Sequence, residues 1–136
     1  MKLQQMVPML NVADIHRSLK FYKEIAGFEL SSGQEELEQW KWAEIRSGQV
    51  VLMLAQSGYL AEKSEPVSPE EGSWPVIFYY YPEDVEQIYT HIKALGYEVG
   101  ELSITFYGMK EFSLQDPDGH LLSFGQETEI PAPSVA

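Results

Sequence analysis

The chain of 136 residues carries 9 Lys and Arg against 21 Asp and Glu, which gives a formal net charge of −12, and it has no cysteine. The cysteine count excludes disulfides, thiolate nucleophiles and thiolate metal sites, and the acidity disfavours nucleic acid and anionic membranes as partners. No apolar run reaches the roughly 18 residues of a membrane span and the first residues lack a signal-peptide stretch, so we expect a cytoplasmic protein of one domain.

The first half, residues 1–56, predicts a strand, a helix and about three further strands. Asp14 is placed to cap the helix, and Gly27 is placed to end it in the left-handed conformation. The apolar stripe expected between them consists of Ile15, Leu19, Tyr22 and Ile25. Downstream, AEIRSGQVVLMLAQ alternates, turns and resumes as a strand that ends at Gln56.

The second half, residues 74–126, predicts the same series of elements. Asp84 is the expected cap, Gly96 the expected end of the helix, and DPDG at 116–119 a hairpin turn. The apolar stripe of this helix consists of Val85, Ile88, Ile92 and Leu95. Residues 57–73 between the halves are rich in Pro, Ser and Glu and predict a linker, and residues 127–136 predict a flexible tail.

A common spacing relates the two halves. The capping residues differ by 84 − 14 = 70 positions, and the glutamines that end the last strands, Gln56 and Gln126, differ by 126 − 56 = 70. Two amphipathic helices can coincide by chance in an α+β domain, but a shared offset at both ends favours a tandem repeat. We therefore predict an α+β fold built from two copies of one unit.

Four segments of the chain resemble a known family. LNVAD, SLKFY, GFEL and the closing GMKEFSLQDPDGHLLSFGQ, within residues 6–126, resemble the glyoxalase/bleomycin resistance protein/dioxygenase superfamily, also called vicinal oxygen chelate proteins. The resemblance implies two tandem βαβββ modules that form a cup-shaped curled sheet with helices on the outer face. It also implies a homodimer, in which modules can be exchanged between chains.

Metal-using members of this family place a His or a carboxylate on the first and the last strand of each module. Counting back six residues from the caps assigns the first-strand positions to Pro8 and Phe78. The family's DPDGxxxE pattern implies Ser123 as the last-strand position, and the 70-residue offset carries it to Met53. None of these side chains is a good ligand for a divalent metal. We therefore expect no metal, no cofactor and no catalytic residue, a pattern that resembles the metal-free, bleomycin-resistance-like branch.

Strand alternation separates the residues that pack on the helices from those that face the cup. The first set is Ala43, Ile45, Leu52 and Leu54 in the first module and Phe112, Leu114, Leu122 and Phe124 in the second. The predicted ligand-binding residues are Trp40, Trp42, Glu44, Met53, Phe78, Tyr80, Met109, Glu111, Ser113 and Ser123. Aromatic planes and two carboxylates suit a planar aromatic ligand, neutral or cationic. A register slip of one residue would invert the faces, and the tryptophans could equally be strand or dimer-interface residues.

Three functions remain open from the residues. The leading hypothesis is a binding protein that sequesters a small molecule without altering it. The second is a metal-dependent lyase, isomerase or dioxygenase with a non-standard site built from Glu44 and Glu111, with or without His120. The third is a dimeric subunit or regulator with no ligand of its own. His16 and His91 lie in the predicted helices and are expected on the solvated surface.

Overall fold

The computed structural model describes residues 1–57 and 74–128. The chain divides into two compact units, with the boundary between residues 66 and 67. The first unit contains β1 (Met9–Val12), α1 (Ile15–Ala26), β2 (Glu29–Leu30), α2 (Gln34–Trp40), β3 (Trp42–Ser47) and β4 (Val50–Gln56). The second contains β5 (Ile77–Tyr80), α3 (Val85–Ala94), β6 (Ser103–Ile104), β7 (Met109–Gln115) and β8 (Leu121–Glu127). No helix in these described ranges is both long and apolar enough to cross a bilayer.

The two sheets have the same topology. The strand order is β1-β4-β3-β2 in the first module and β5-β8-β7-β6 in the second, with the outer strand β1 or β5 parallel to its neighbour and the other pairs antiparallel. The predicted pair of α+β modules is therefore confirmed. Residues 58–73 of the expected linker and 129–136 of the expected tail lie outside the described residues, and β8 extends to Glu127.

Side chains from two different elements cap the first helix. One carboxylate oxygen of Asp14 accepts hydrogen bonds from the backbone N–H groups of His16 and Arg17, at 3.0 and 3.2 Å. Gln56, at the end of β4, uses its side-chain oxygen to accept the N–H of Ile15 at 3.0 Å. Three N–H groups that the helix itself cannot satisfy thus have partners, and one of these bonds fixes the last strand to the first helix.

The second module repeats this arrangement at the predicted offset. Asp84 accepts the N–H groups of Glu86 and Gln87, both at 3.1 Å, and the side-chain oxygen of Gln126 accepts the N–H of Val85 at 2.8 Å. The two capping residues have nearly the same backbone geometry, with φ −142° in both and ψ of 107° and 104°. The capping hydrogen bonds of the two modules are thus equivalent at the 70-residue offset that the sequence predicted.

Each module has its core between helix and sheet. The strand residues that alternation assigned to the helix side of both sheets are all buried. On α1 the buried face follows Ile15, Ser18, Tyr22 and Ile25, with Phe21 beside it, so that Leu19 is only half-buried. On α3, Val85 and Ile92 are buried, whereas Leu95 follows the last helical residue and is exposed.

Helix α2 differs from the sequence interpretation, which assigned Trp40 to a strand that faces the cup. Trp40 is instead the last residue of α2 and is 68% exposed. The segment from Gln34 consists mainly of good helix formers, and the carboxylate of Glu36 accepts the N–H of Gly33 at 2.6 Å. Lys41, with φ 54°, then ends the helix, so β3 begins at Trp42.

Candidate functional site

Strand register decides which residues share a face. We call the side of each sheet that lies away from its own helix the open face. In the first module Met53 pairs with Met9 on one side and with Glu44 on the other, and Trp42 pairs with Ala55. These residues alternate with the buried helix-side residues, so the face predicted for Trp42, Glu44 and Met53 agrees with the register. Their contact with a ligand stays a prediction.

Glu44 is already engaged within its own module. One of its carboxylate oxygens accepts the hydroxyl of Ser31 at 2.9 Å and the Nε–H of Arg46 at 3.3 Å. The backbone N–H of Glu44 donates to the hydroxyl oxygen of Ser32 at 2.9 Å. A guanidinium thus stands beside this carboxylate and offsets its charge.

In the second module the predicted orientation of β5 is wrong. Phe78 pairs with Leu122 and Tyr80 with Phe124, so both lie on the helix side and not on the open face. The ring of Tyr80 stacks on Phe124 at 5.1 Å between centroids. Burial of Tyr80 raises the pKa of its phenol, with a further contribution from the nearby charge of Asp116. Tyr80 is therefore part of the core.

Tyr79 takes the open-face position on β5. It pairs with Ser123, which in turn pairs with Ser113. The sequence contained a signal for this orientation, because the polar Asn11 indicates which face of β1 is the open one. Adding the 70-residue offset to Met9 and Asn11 gives Tyr79 and Tyr81 as the residues on the same face of the second module. The count from the capping residue gave Phe78 instead, one residue away and therefore on the opposite face.

The open face of the second sheet holds a carboxylate between two phenols. The hydroxyl of Tyr79 donates to Oε2 of Glu111 at 2.6 Å. The hydroxyl of Tyr107, from the β6–β7 turn, lies 3.0 and 3.1 Å from the two oxygens of the same carboxylate. Gly125 makes room for this arrangement, because a Cβ there would lie 2.6 Å from Cζ of Tyr79. We call Tyr79, Tyr107 and Glu111 the carboxylate–phenol cluster.

The phenols of this cluster remain hydrogen-bond donors. Burial raises the pKa of Tyr79, and its hydrogen bond to the Glu111 carboxylate raises it further. The pKa of Tyr107 is raised by the same two causes. Because both phenols retain their protons, two neutral hydrogen-bond donors hold the Glu111 carboxylate in place.

Two predicted serines lie beside the cluster. The hydroxyl oxygens of Ser113 and Ser123 are 2.7 Å apart, within hydrogen-bond distance, and Ser123 is buried. Met109, at the start of β7, has the same parity as Glu111 and Ser113 and is half-buried. The register thus places Met109, Glu111, Ser113 and Ser123 on the open face as predicted, while their role in binding stays a prediction.

The residues at the four positions that the resemblance assigns to metal ligands do not fit a divalent metal. Met9 pairs with Met53 and Tyr79 with Ser123, so Met9 and Tyr79 share the open faces with Met53 and Ser123, whereas Pro8 and Phe78 do not. These open-face side chains are poor metal ligands compared with His or a carboxylate: two are thioethers, one is a phenol that donates to Glu111, and one is a hydroxyl bonded to another serine. Within residues 1–57 and 74–128, no group of three His, Asp or Glu side chains is placed to hold a metal.

His120 is committed to the β7–β8 turn. Its Nδ1 lies 2.8 Å from Oδ2 of buried Asp116, whose Oδ1 accepts the N–H groups of Asp118 and His120 at 2.9 Å. Glu111 is four residues from the turn end of β7, about 13 Å along the strand. Glu111 and His120 are therefore not brought together within the second module, so His120 does not join Glu111 in the non-standard site.

The comparisons with known proteins agree with this fold. The chain belongs to the Glyoxalase/Bleomycin resistance protein/Dioxygenase superfamily, whose model matches residues 3–124. A comparison with curated proteins found no match.

Solved structures share the fold at low sequence identity. TioX from Micromonospora sp. ML1 has a TM-score of 0.70 at 20% identity, covering 92% of this chain and 100% of that one. A bleomycin-binding protein complexed with bleomycin has a TM-score of 0.66 at 19% identity, covering 93% and 100%. The bleomycin resistance determinant encoded on transposon Tn5 has 0.68 at 19%, covering 92% and 98%.

Proposed function

We propose that this protein binds a small aromatic compound and sequesters it without changing it chemically. The observation that carries the proposal is the open face of the second module, where phenol rings, serine hydroxyls and one oriented carboxylate line a surface. Within residues 74–128 this carboxylate is not part of a group of three His, Asp or Glu side chains that could hold a metal. Such a surface binds aromatic groups by stacking and fixes their orientation through a few polar contacts.

The relatives support the same function. One structural neighbour is a bleomycin-binding protein in complex with bleomycin, and another is a bleomycin resistance determinant. Sequestration of an antibiotic or a similar toxic aromatic compound is the role we infer. A protein that acts by binding alone needs only affinity and abundance. We propose that it acts as a homodimer in the cytoplasm.

The test combines binding with recovery of the compound. Purified protein is titrated with a panel of aromatic compounds in a calorimeter, and each bound compound is then released and examined by mass spectrometry. We expect saturable binding of at least one compound, which is recovered at its original mass. Elemental analysis of protein purified without affinity tags or chelators is run in parallel.

Two results would contradict the proposal. Conversion of the bound compound, or a stoichiometric Zn, Fe, Mn, Ni or Co that is needed for such a conversion, would favour the lyase, isomerase or dioxygenase. Failure of every compound to bind would favour a subunit or regulator that has no ligand.

A further inference from the structure

We propose that Glu111 is the residue that recognises a cationic N–H group, an amidinium, guanidinium or primary ammonium, on the aromatic ligand, and that Glu44 has no such role. The inference rests on the proposed binding function and adds the chemical class of the ligand and the residue that selects it. Both carboxylates lie on open faces, so alternation alone does not distinguish them.

The charges around the two carboxylates differ. Glu44 is paired with the Arg46 guanidinium, so a second cation would have to compete with a group that is already bound. Among residues 1–57 and 74–128, no Lys, Arg or His forms an ion pair with Glu111. Its adjacent Lys110 pairs instead with Glu86 on α3. The carboxylate of Glu111 is thus oriented by two phenols, and no cation of the described residues neutralises it.

The hydrogen bonds at Glu111 leave acceptor capacity for a ligand. A carboxylate has about four acceptor positions, and the hydroxyls of Tyr79 and Tyr107 supply one proton each. About two positions therefore remain for N–H donors. A planar amidinium or guanidinium presents two such donors side by side, and an ammonium presents three.

Two pairs of aromatic rings adjoin the carboxylate–phenol cluster through Tyr79 and Tyr107. The rings of Tyr79 and Tyr81 have their centroids 5.1 Å apart, and those of Phe106 and Tyr107 are 4.9 Å apart. Tyr107 is 55% exposed, so its ring is accessible at the end of the β6–β7 turn. An aromatic ligand held at Glu111 can therefore stack on the exposed ring of Tyr107, whose hydroxyl is bonded to the same carboxylate.

The experiment compares a cation with a neutral compound of the same shape. The binding of 2-naphthamidine and of 2-naphthamide is measured by calorimetry at low ionic strength for the wild type and for the variants Glu111→Gln and Glu44→Gln. We expect the wild type to prefer the amidinium by about 10-fold or more, the gain of charge-assisted over neutral hydrogen bonds. Glu111→Gln should abolish this preference, and Glu44→Gln should retain it.

The outcomes separate the inference from the proposed function. Equal affinity of the wild type for both compounds, or an equal loss of preference in the two variants, overturns the assignment of Glu111 while binding itself stands. If the wild type binds neither compound, both the assignment of Glu111 and the proposed binding function are overturned for aromatic amidines and amides. If Glu111→Gln does not fold, the salt dependence of the wild type decides. The amidinium must then lose affinity between low and physiological ionic strength while the amide does not, and a lack of difference overturns the inference.

Discussion

The lack of a Cβ atom at Gly125 leaves room for the Tyr79 ring on the open face of the second module. The equivalent residue of the first module, by the 70-residue offset, is Ala55. Ala is acceptable there because the first-strand residue is Met9, whereas at Gly125 a Cβ would collide with the ring of Tyr79. Position 55 can therefore be alanine and position 125 glycine because the first strand of the sheet carries Met9 in one module and the larger Tyr79 in the other.

We predict that Gly125→Ala lowers the free energy of unfolding by about 1–3 kcal/mol, because the ring of Tyr79 must move out of its place. Chemical denaturation measures the change. In the double variant with Tyr79→Ala the collision is absent, so Gly125→Ala should then cost much less. Equal costs with and without the Tyr79 ring would show that the collision is not the cause.

His120 is expected to make stability depend on pH. Its hydrogen bond to Asp116 raises the pKa of His120 above the ordinary 6.5, against the opposing effect of burial. Below pH 6.5 the imidazolium is bound in the folded state and the stabilisation is complete. As the pH rises through the folded pKa this contribution is lost, so the free energy of unfolding should fall.

The measurement is a series of denaturation curves from pH 5 to 9 on the wild type and on His120→Asn. The variant lacks the ionisable group and should be less stable at low pH, and the difference between the two proteins should shrink as the pH rises. A difference that is constant over the range would contradict a charge-assisted bond between His120 and Asp116.

The glutamines at the strand ends act at the scale of elements, because each joins β4 or β8 to the start of a helix. We predict that Gln126→Ala lowers the free energy of unfolding by about 1 kcal/mol, since the N–H of Val85 loses its partner. Gln126→Glu keeps an acceptor at a helix N-terminus and should retain most of the stability. Gln49→Ala, in the exposed β3–β4 turn, serves as the control and should change little.

The elements could be predicted from the sequence wherever capping chemistry or long periodicity marks them. Both Asp caps, the left-handed Gly27 and the helix sides of β3, β4, β7 and β8 follow from such patterns. Strand β5 could not be oriented from its own residues, because Phe78, Tyr79 and Tyr80 are all large and aromatic, and the signal for its orientation lay in Asn11 of the first module. Helix α2 was missed because seven residues show too little periodicity.

At the scale of the whole molecule, the repeat was the strongest signal. A shared 70-residue offset predicted two modules with the same sheet topology, although α2 occurs only in the first module among the described residues. Of the three residues of the carboxylate–phenol cluster, only Glu111 was predicted. Glu111 followed from alternation, but Tyr107 lies in a turn, where side-chain direction depends on tertiary structure rather than on sequence period.

We predict a homodimer in solution. Each four-stranded sheet ends in edge strands, and apolar side chains at the edge strands β1 and β5, Met9 and Ile77, are at least half exposed in the single chain. Exposed apolar edges favour association because pairing satisfies their backbone groups and buries apolar surface. Sedimentation equilibrium at micromolar concentration should give twice the 15.5 kDa mass of the chain. A monomer mass would contradict the prediction.

The two glutamine–helix bonds also bear on how such a protein can change over time. Both halves have the same bond between strand end and helix, Gln56 to Ile15 and Gln126 to Val85, while their open faces differ, with thioethers at Met9 and Met53 and hydroxyls at Tyr79 and Ser123. These bonds and the core lie on the helix side of each sheet. Exposed residues of the open face such as Tyr107 can therefore be exchanged for other side chains, and so for another ligand, without removing the contacts that hold each module together.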